Sequence, residues 1–275
     1  MTSFEWVPEK LQRLSIEGQG LEVICYGPSP ERAPTLVLLH EGLGCVALWR
    51  DFPPRIAERT GFGVFVWSRG GYGQSDPVPL PRPLDYMTWE ATQRLPHVLD
   101  AIGFQRGVLL GHSDGASIAA IYAGSIEDFR VRGLILMAPH FFTEPGGLAS
   151  IAEARKAYET GDLKSRLAKY HAHVDVAFRG WKDAWLDPGF QSWNIADCLD
   201  YLRVPSLVIQ GENDQYGTSR QVKEIVERSY APVEVEMLPA CGHSPHLDQP
   251  ERTIAAVAEF CGRLERIENV DVRVA

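Results

Sequence analysis

The sequence has 275 residues and a formal net charge of -9, with 36 acidic against 27 basic side chains. A chain near this length buries roughly three-quarters of the surface it exposes when unfolded, so its core needs neither disulfide nor metal, and one domain carrying an insertion is the simplest organisation. The acidic balance disfavours nucleic acid and anionic membrane surfaces as partners.

Residues 1–10 lack the basic and apolar run of a secretion signal, and no stretch approaches the ~18 uninterrupted apolar residues of a membrane span. A cytoplasmic location is therefore expected. Cys25, Cys45, Cys198, Cys241 and Cys261 are odd in number, scattered and without a C-x-x-C pair. That pattern points to free, mostly buried thiols and to no zinc site.

In chain order, residues 11–17 and 21–26 flank Gly18-Gln19-Gly20 and predict an antiparallel hairpin at a sheet edge. From Thr35 onward, short apolar runs alternate with amphipathic stretches, the pattern of β-α-β units on a mostly parallel sheet. Strands are predicted at 36–39, 64–67, 108–110, 134–137, 207–209 and 233–235, with a further strand-like run from Leu238 to His243. Helices are predicted at 49–59, 87–102, 113–124, 219–228 and 253–266. The alternation breaks between Met137 and Pro205, where helical patterns appear at 148–159, 163–173 and 175–186. Residues 1–139 and 204–275 thus read as one α/β core, and 140–203 as a helical cap or lid over the carboxyl ends of the strands. In the last of its helices, Val174, Phe178, Trp181 and Trp185 share one face, which either packs on the body or lines a cavity.

Val108-Leu109-Leu110-Gly111-His112-Ser113-Asp114-Gly115-Ala116 reads as a strand, a G-x-S-x-G turn and a helix. Such a turn is sharp enough to demand small residues two places either side of the nucleophile, and Gly111 and Gly115 supply them around Ser113. Were Asp114 the nucleophile, those places would fall on His112 and Ala116, and histidine does not suit. A serine hydroxyl needs a base, and the base needs an orienting acid. Downstream, Gly211-Glu212-Asn213-Asp214 and Gly242-His243 follow strand-like runs, in the order Ser, Asp, His that this turn accompanies.

Together these motifs resemble the α/β-hydrolase superfamily, in its lid-bearing esterase branch, over essentially the whole chain. His40-Glu41-Gly42-Leu43-Gly44 resembles the oxyanion loop, and Ser68-Arg69-Gly70-Gly71-Tyr72-Gly73-Gln74-Ser75-Asp76 the D-x-R-G-x-G-x-S turn. The resemblance implies a mostly parallel sheet with helices on both faces, Ser113 as nucleophile, His243 as base and Asp214 as acid. It implies oxyanion donors from the N–H groups of Asp114 and of Gly42 or Leu43. The loop usually reads His-Gly, and here Glu41 stands in the glycine's place, where it is expected to pair with Arg69 or with a polar substrate group.

The chemistry expected is acyl transfer to water from a small substrate through an acyl-enzyme, with no cofactor and no metal. Phe141, Phe142, Phe178, Trp181, Trp185 and Trp193 favour an apolar or aromatic acyl group. Glu41, His112 and Ser244 complete the expected substrate contacts. Carbon-carbon bond hydrolysis of aromatic ring-cleavage products ranks second, because hydrolases of that kind commonly carry asparagine and tryptophan where this chain has His112 and Ser244. Acyl-CoA thioester hydrolysis and a non-enzymatic role as a small-ligand receptor stay open as well. The sequence leaves monomer and homodimer equally open.

Overall fold

The computed structural model describes residues 4–268. The chain opens with the expected hairpin, β1 (Gln12–Ile16) against β2 (Gln19–Tyr26), turned through Glu17 and Gly18, both at positive φ. Six further strands follow: β3 (Thr35–Leu39), β4 (Gly63–Trp67), β5 (Gly107–His112), β6 (Val131–Met137), β7 (Ser206–Gly211) and β8 (Val233–Leu238). The sheet runs β1-β2-β4-β3-β5-β6-β7-β8. Pairing is antiparallel for β1 with β2 and β2 with β4, and parallel from β4 through β8. After β3 the chain moves one way to β4, then crosses back to β5 on the other side. That reversal opens a crevice at the carboxyl ends of β3 and β5, where open α/β sheets bind ligands.

Between the strands lie α1 (Phe52–Thr60), α2 (Tyr86–Trp89), α3 (Leu95–Ala101), α4 (Asp114–Ser125), α5 (Pro145–Thr160), α6 (Leu163–Leu167), α7 (Val174–Trp185), α8 (Ser219–Arg228), α9 (Pro245–Asp248) and α10 (Pro250–Glu268). Both faces of the sheet are covered. Leu36, Leu38, Val64 and Val66 pack with Ile56, Val257 and Phe260 of α1 and α10, while Val37, Leu39, Phe65 and Leu109 pack with Leu95 of α3 and Ile118 of α4. Burial on two faces explains why β3 and β4 read as unbroken apolar runs rather than as alternation.

Three predicted elements differ in the structure. The single helix expected at 87–102 becomes α2 and α3 joined by a wide π-type turn at Glu90–Arg94. Pro96, lacking an N–H, cannot continue the ordinary ladder just beyond that turn. The helix expected at 163–173 stops at Leu167, because tertiary bonds claim residues 171 and 172: Ala172 N donates to Gly73 O at 2.9 Å, and Gly73 N donates to His171 Nδ1 at 2.9 Å. The strand-like run at 238–243 is strand only at its first residue, and Ala240 turns the chain at φ 52°. The segment between β6 and β7 is helical as expected, carrying α5, α6 and α7. All five cysteines are free, four of them buried. No helix among the described residues is long and apolar enough to cross a membrane.

Candidate active site

Ser113 caps α4 directly after β5, at φ 53° and ψ -118°. A non-glycine residue in that region is strained and persists only where its surroundings fix it. They do so by contact: a Cβ on Gly111 would lie 2.2 Å from Gly115 O, and one on Gly115 would lie 2.0 Å from Leu39 O. Ser113 N donates to Met137 O at 2.9 Å, tying the turn to β6.

Asp214 follows β7 and His243 follows β8, so both leave the parallel sheet at the same carboxyl end as Ser113 after β5. The His243 Nδ1–H donates to the two carboxylate oxygens of Asp214 at 2.9 and 2.8 Å. This leaves Nε2 as the acceptor. Burial alone would raise the Asp214 carboxyl, but the His243 hydrogen bond and charge, with the N–H groups of Tyr216 and Gly217, hold it below the usual range. Gln210 Nε2 also donates to Asp214 Oδ2 at 2.8 Å.

Ser113 and His243 line one cavity of about 100 Å³, together with Glu41, Gly42, Leu43, Asp114, His140, Glu144, Gly147, Ile151, Trp181, Trp185 and Tyr216. Hydroxyl and imidazole share that cavity without a hydrogen bond between them. Catalytic hydrogen bonds are commonly loose in unliganded sites and tighten around the reacting substrate.

The loop after β3 is gripped from behind. Glu41 O accepts from His40 Nδ1 at 2.7 Å, Arg69 Nη2 at 3.1 Å and Gly44 N at 3.1 Å. Arg69 Nη1 also donates to His40 O. In a trans peptide the N–H points opposite to the preceding C=O, so the Gly42 N–H faces away from this cluster. Among the described residues neither it nor the Asp114 N–H donates to a protein acceptor. Both are thus free to meet an anion, and the Asp114 N–H has the helix dipole of α4 behind it. Gly42 has room for nothing larger, since a Cβ there would sit 2.2 Å from Trp181 Nε1. Leu43 also lines the cavity, and its carbonyl accepts from His171 Nε2 at 3.0 Å.

The structure separates the expected contact residues into two groups. Glu41, Trp181 and Trp185 line the cavity. His112 is buried behind it, Phe141 lies wholly in the core, and Phe178 stacks on Tyr158 with ring centroids 3.7 Å apart. Phe142 bridges to Asn194 under the Arg220 guanidinium, and Ser244 caps α9, where its carbonyl accepts from Leu247 N and Asp248 N. Trp193 stacks on Phe190 one layer out. The Glu41 carboxylate faces His112 Nδ1 at 3.4 Å instead of Arg69, whose guanidinium is taken by main-chain oxygens.

Sequence reasoning missed His140, Glu144, Gly147, Ile151 and Tyr216 as cavity residues. Only Tyr216, two places after Asp214, carried a local signal, and its ring lies 4.7 Å from that of His243. Asp114 presents its N–H to the cavity, while its carboxylate turns inward to Tyr86 OH and, at 3.9 Å, to Arg69 Nη2.

A strained serine turn, an acid-bound histidine and two free N–H groups at the carboxyl end of a parallel sheet define a hydrolase-type site. The sequence model of the Alpha/beta hydrolase family matches residues 36–256, and the chain belongs to that family. Among curated proteins it is similar to Epoxide hydrolase 3 of Xenopus tropicalis, at 22% identity covering 94% of this chain and 83% of the relative. It is also similar to Serine hydrolase BPHL of Homo sapiens, at 23% identity covering 72% of this chain and 69% of the relative. Among solved structures, a proline iminopeptidase of Mycobacterium smegmatis matches with TM-score 0.73 and 19% identity, covering 94% of this chain and all 100% of the other. The esterase RhEst1 of Rhodococcus sp. ECU1013 matches with TM-score 0.70 and 19% identity over 92% and 99% of the two chains. The relatives are hydrolases, and this chain is an enzyme of that kind.

Proposed function

We propose that the chain is a serine hydrolase that cleaves an ester-type bond of a small, uncharged, largely apolar substrate through an acyl-enzyme on Ser113. His243 takes the hydroxyl proton and returns it to the leaving group, Asp214 holds the imidazole in the tautomer that leaves Nε2 bare, and the N–H groups of Gly42 and Asp114 receive the oxyanion. The observation that carries the reading is the meeting, in one cavity, of the elbow serine, the Asp214-bound histidine and two unused N–H donors from separate loops. Residues 140–203 act as the cap, with Trp181, Trp185 and Ile151 forming the acyl wall.

A carboxylate nucleophile, the expectation for epoxide chemistry, would have to be Asp114. Its side chain is buried and turned toward Tyr86 and Arg69. Charge narrows the substrate further. No lysine or arginine is among the residues that line the cavity, so neither is placed there to pair with the anionic groups of acyl-CoA thioesters or of ring-cleavage dienoates.

The test is a panel of neutral nitrophenyl esters, lactones, acyl-CoA thioesters and dienoates, assayed on wild type and Ser113→Ala. Neutral esters or lactones are expected to turn over best, with a loss on the order of a million-fold in kcat on removing the serine. Preferential turnover of an anionic class, or residual turnover near wild type in Ser113→Ala, would contradict the proposal.

A further inference from the structure

Glu41, in the loop after β3, departs from the family's His-Gly pattern, and His112 stands one place before Ser113. Their side chains meet. His112 Nδ1 lies 3.4 Å from Glu41 Oε2, and His112 Nε2 lies 2.7 Å from the main-chain oxygen of His243. A carbonyl oxygen only accepts, so Nε2 carries a proton. Nδ1 makes no hydrogen bond, and the charge it faces is that carboxylate, at ion-pair distance. A bare Nδ1 would aim its lone pair at a negative charge, whereas a protonated one meets an opposite charge. The ring is 1% exposed and lies outside the cavity lining, so it does not touch substrate.

We propose that Glu41 and His112 form an ion-paired strut, whose members act as positioning residues by fixing the oxyanion loop and the base loop against the nucleophile elbow. The inference rests on the serine hydrolase reading above. Its geometry is that of a three-way tie: the His112 backbone belongs to the elbow, its Nε2 holds the His243 backbone, and its Nδ1 holds the residue before Gly42. The strut also answers an electrostatic problem. A lone carboxylate beside a developing oxyanion would raise the barrier, and an imidazolium at contact distance makes the pair neutral.

Protonation obeys the same logic. Burial would lower the His112 imidazole, but the Glu41 contact and charge, the His243 carbonyl and the charge of Asp214 raise it above its ordinary value. Burial would raise Glu41, but the contact with His112 and its charge hold it far below the carboxylate range. The other groups facing the His112 ring are His243 and His246, with centroids 5.2 and 5.1 Å away. His246 is pushed down to about 3 by burial and by His112, and so stays neutral and does not compete for the proton.

Two readouts test the strut. In histidine-labelled protein, ¹⁵N NMR at about pH 8 is expected to find both His112 nitrogens protonated in wild type, and Nδ1 without its proton in Glu41→Gln. A neutral His112 in wild type, or an imidazolium that survives Glu41→Gln, would overturn the proposal. The second readout is the rate at which a fluorophosphonate probe labels Ser113. Glu41→Gln and His112→Gln are each expected to slow labelling about ten-fold, with the double variant no slower than the slower single one. His112→Ala, which also loses the donor to the His243 carbonyl, is expected to be slower than His112→Gln. Losses that multiply in the double variant would mean the two residues act separately and would sink the strut. A wild type that takes up no label would instead refute the serine nucleophile, and the NMR result would still decide the strut.

Discussion

Proton placement around the site is set residue by residue through hydrogen-bond partners. His40 donates from Nδ1 to Glu41 O and accepts at Nε2 from Arg69 N at 3.0 Å, which makes it neutral. Burial and the Arg69 charge press it well below its ordinary value, in agreement with that tautomer. His171 is neutral by the same reasoning, accepting from Gly73 N and donating to Leu43 O. His246 is the informative case for pH. It packs against Trp49, Phe52 and His112, its Nδ1 has no partner, and its value falls from 6.5 to about 3. Below about pH 6.5 the unfolded chain takes up a proton that the folded chain refuses until about pH 3, so this histidine costs stability as the solution is acidified through that window. Melting temperatures measured from about pH 7 down to about pH 4 should therefore fall less steeply in His246→Phe than in wild type. Equal slopes would contradict a buried neutral histidine. At this scale the sequence pointed to Ser113, Asp214 and His243 because each sits in a short motif, and the structure bonds Asp214 to His243 and brings His243 and Ser113 to one cavity. His140 and Glu144 were hidden, since only the packing of the segment after β6 brings them to the cavity.

Elements were legible wherever periodicity and burial agreed. The six core strands and the helix at Ser219–Arg228 fall where apolar runs and an amphipathic pattern place them. Boundaries failed where tertiary bonds override local preference, as at Leu167, or where a proline interrupts the ladder, as before Pro96. The aromatic face of α7 divides the same way: Phe178 turns to Tyr158 while Trp181 and Trp185 reach the cavity, a split that depends on neighbours no local pattern contains. The elbow between β5 and α4 is an intolerant junction. Replacing Gly115 by alanine drives a methyl group to within 2.0 Å of the Leu39 carbonyl oxygen, which is backbone rather than a pliable side chain. Urea unfolding of Gly115→Ala is expected to lose about 1–3 kcal/mol, the usual cost of overpacking a tight interior. Stability equal to wild type would mean that the elbow has slack, and the argument for a locked Ser113 would fail.

Across the whole molecule, function arises from where the sheet reverses. The loops after β3, β5, β7 and β8 all open at one end, so residues distant in sequence share a single cavity, and helices from the segment between β6 and β7 supply its apolar wall. This convergence is what composition and spacing could not display, although the order of the motifs implied it. The central claim is that chemistry passes through the hydroxyl of Ser113. Its most direct test is mass spectrometry of enzyme quenched during turnover of a neutral nitrophenyl ester, followed by peptide mapping. The account predicts an acyl adduct on Ser113 that is absent from Ser113→Ala, whereas an adduct on Asp114, or full turnover with no acylated serine, would contradict it.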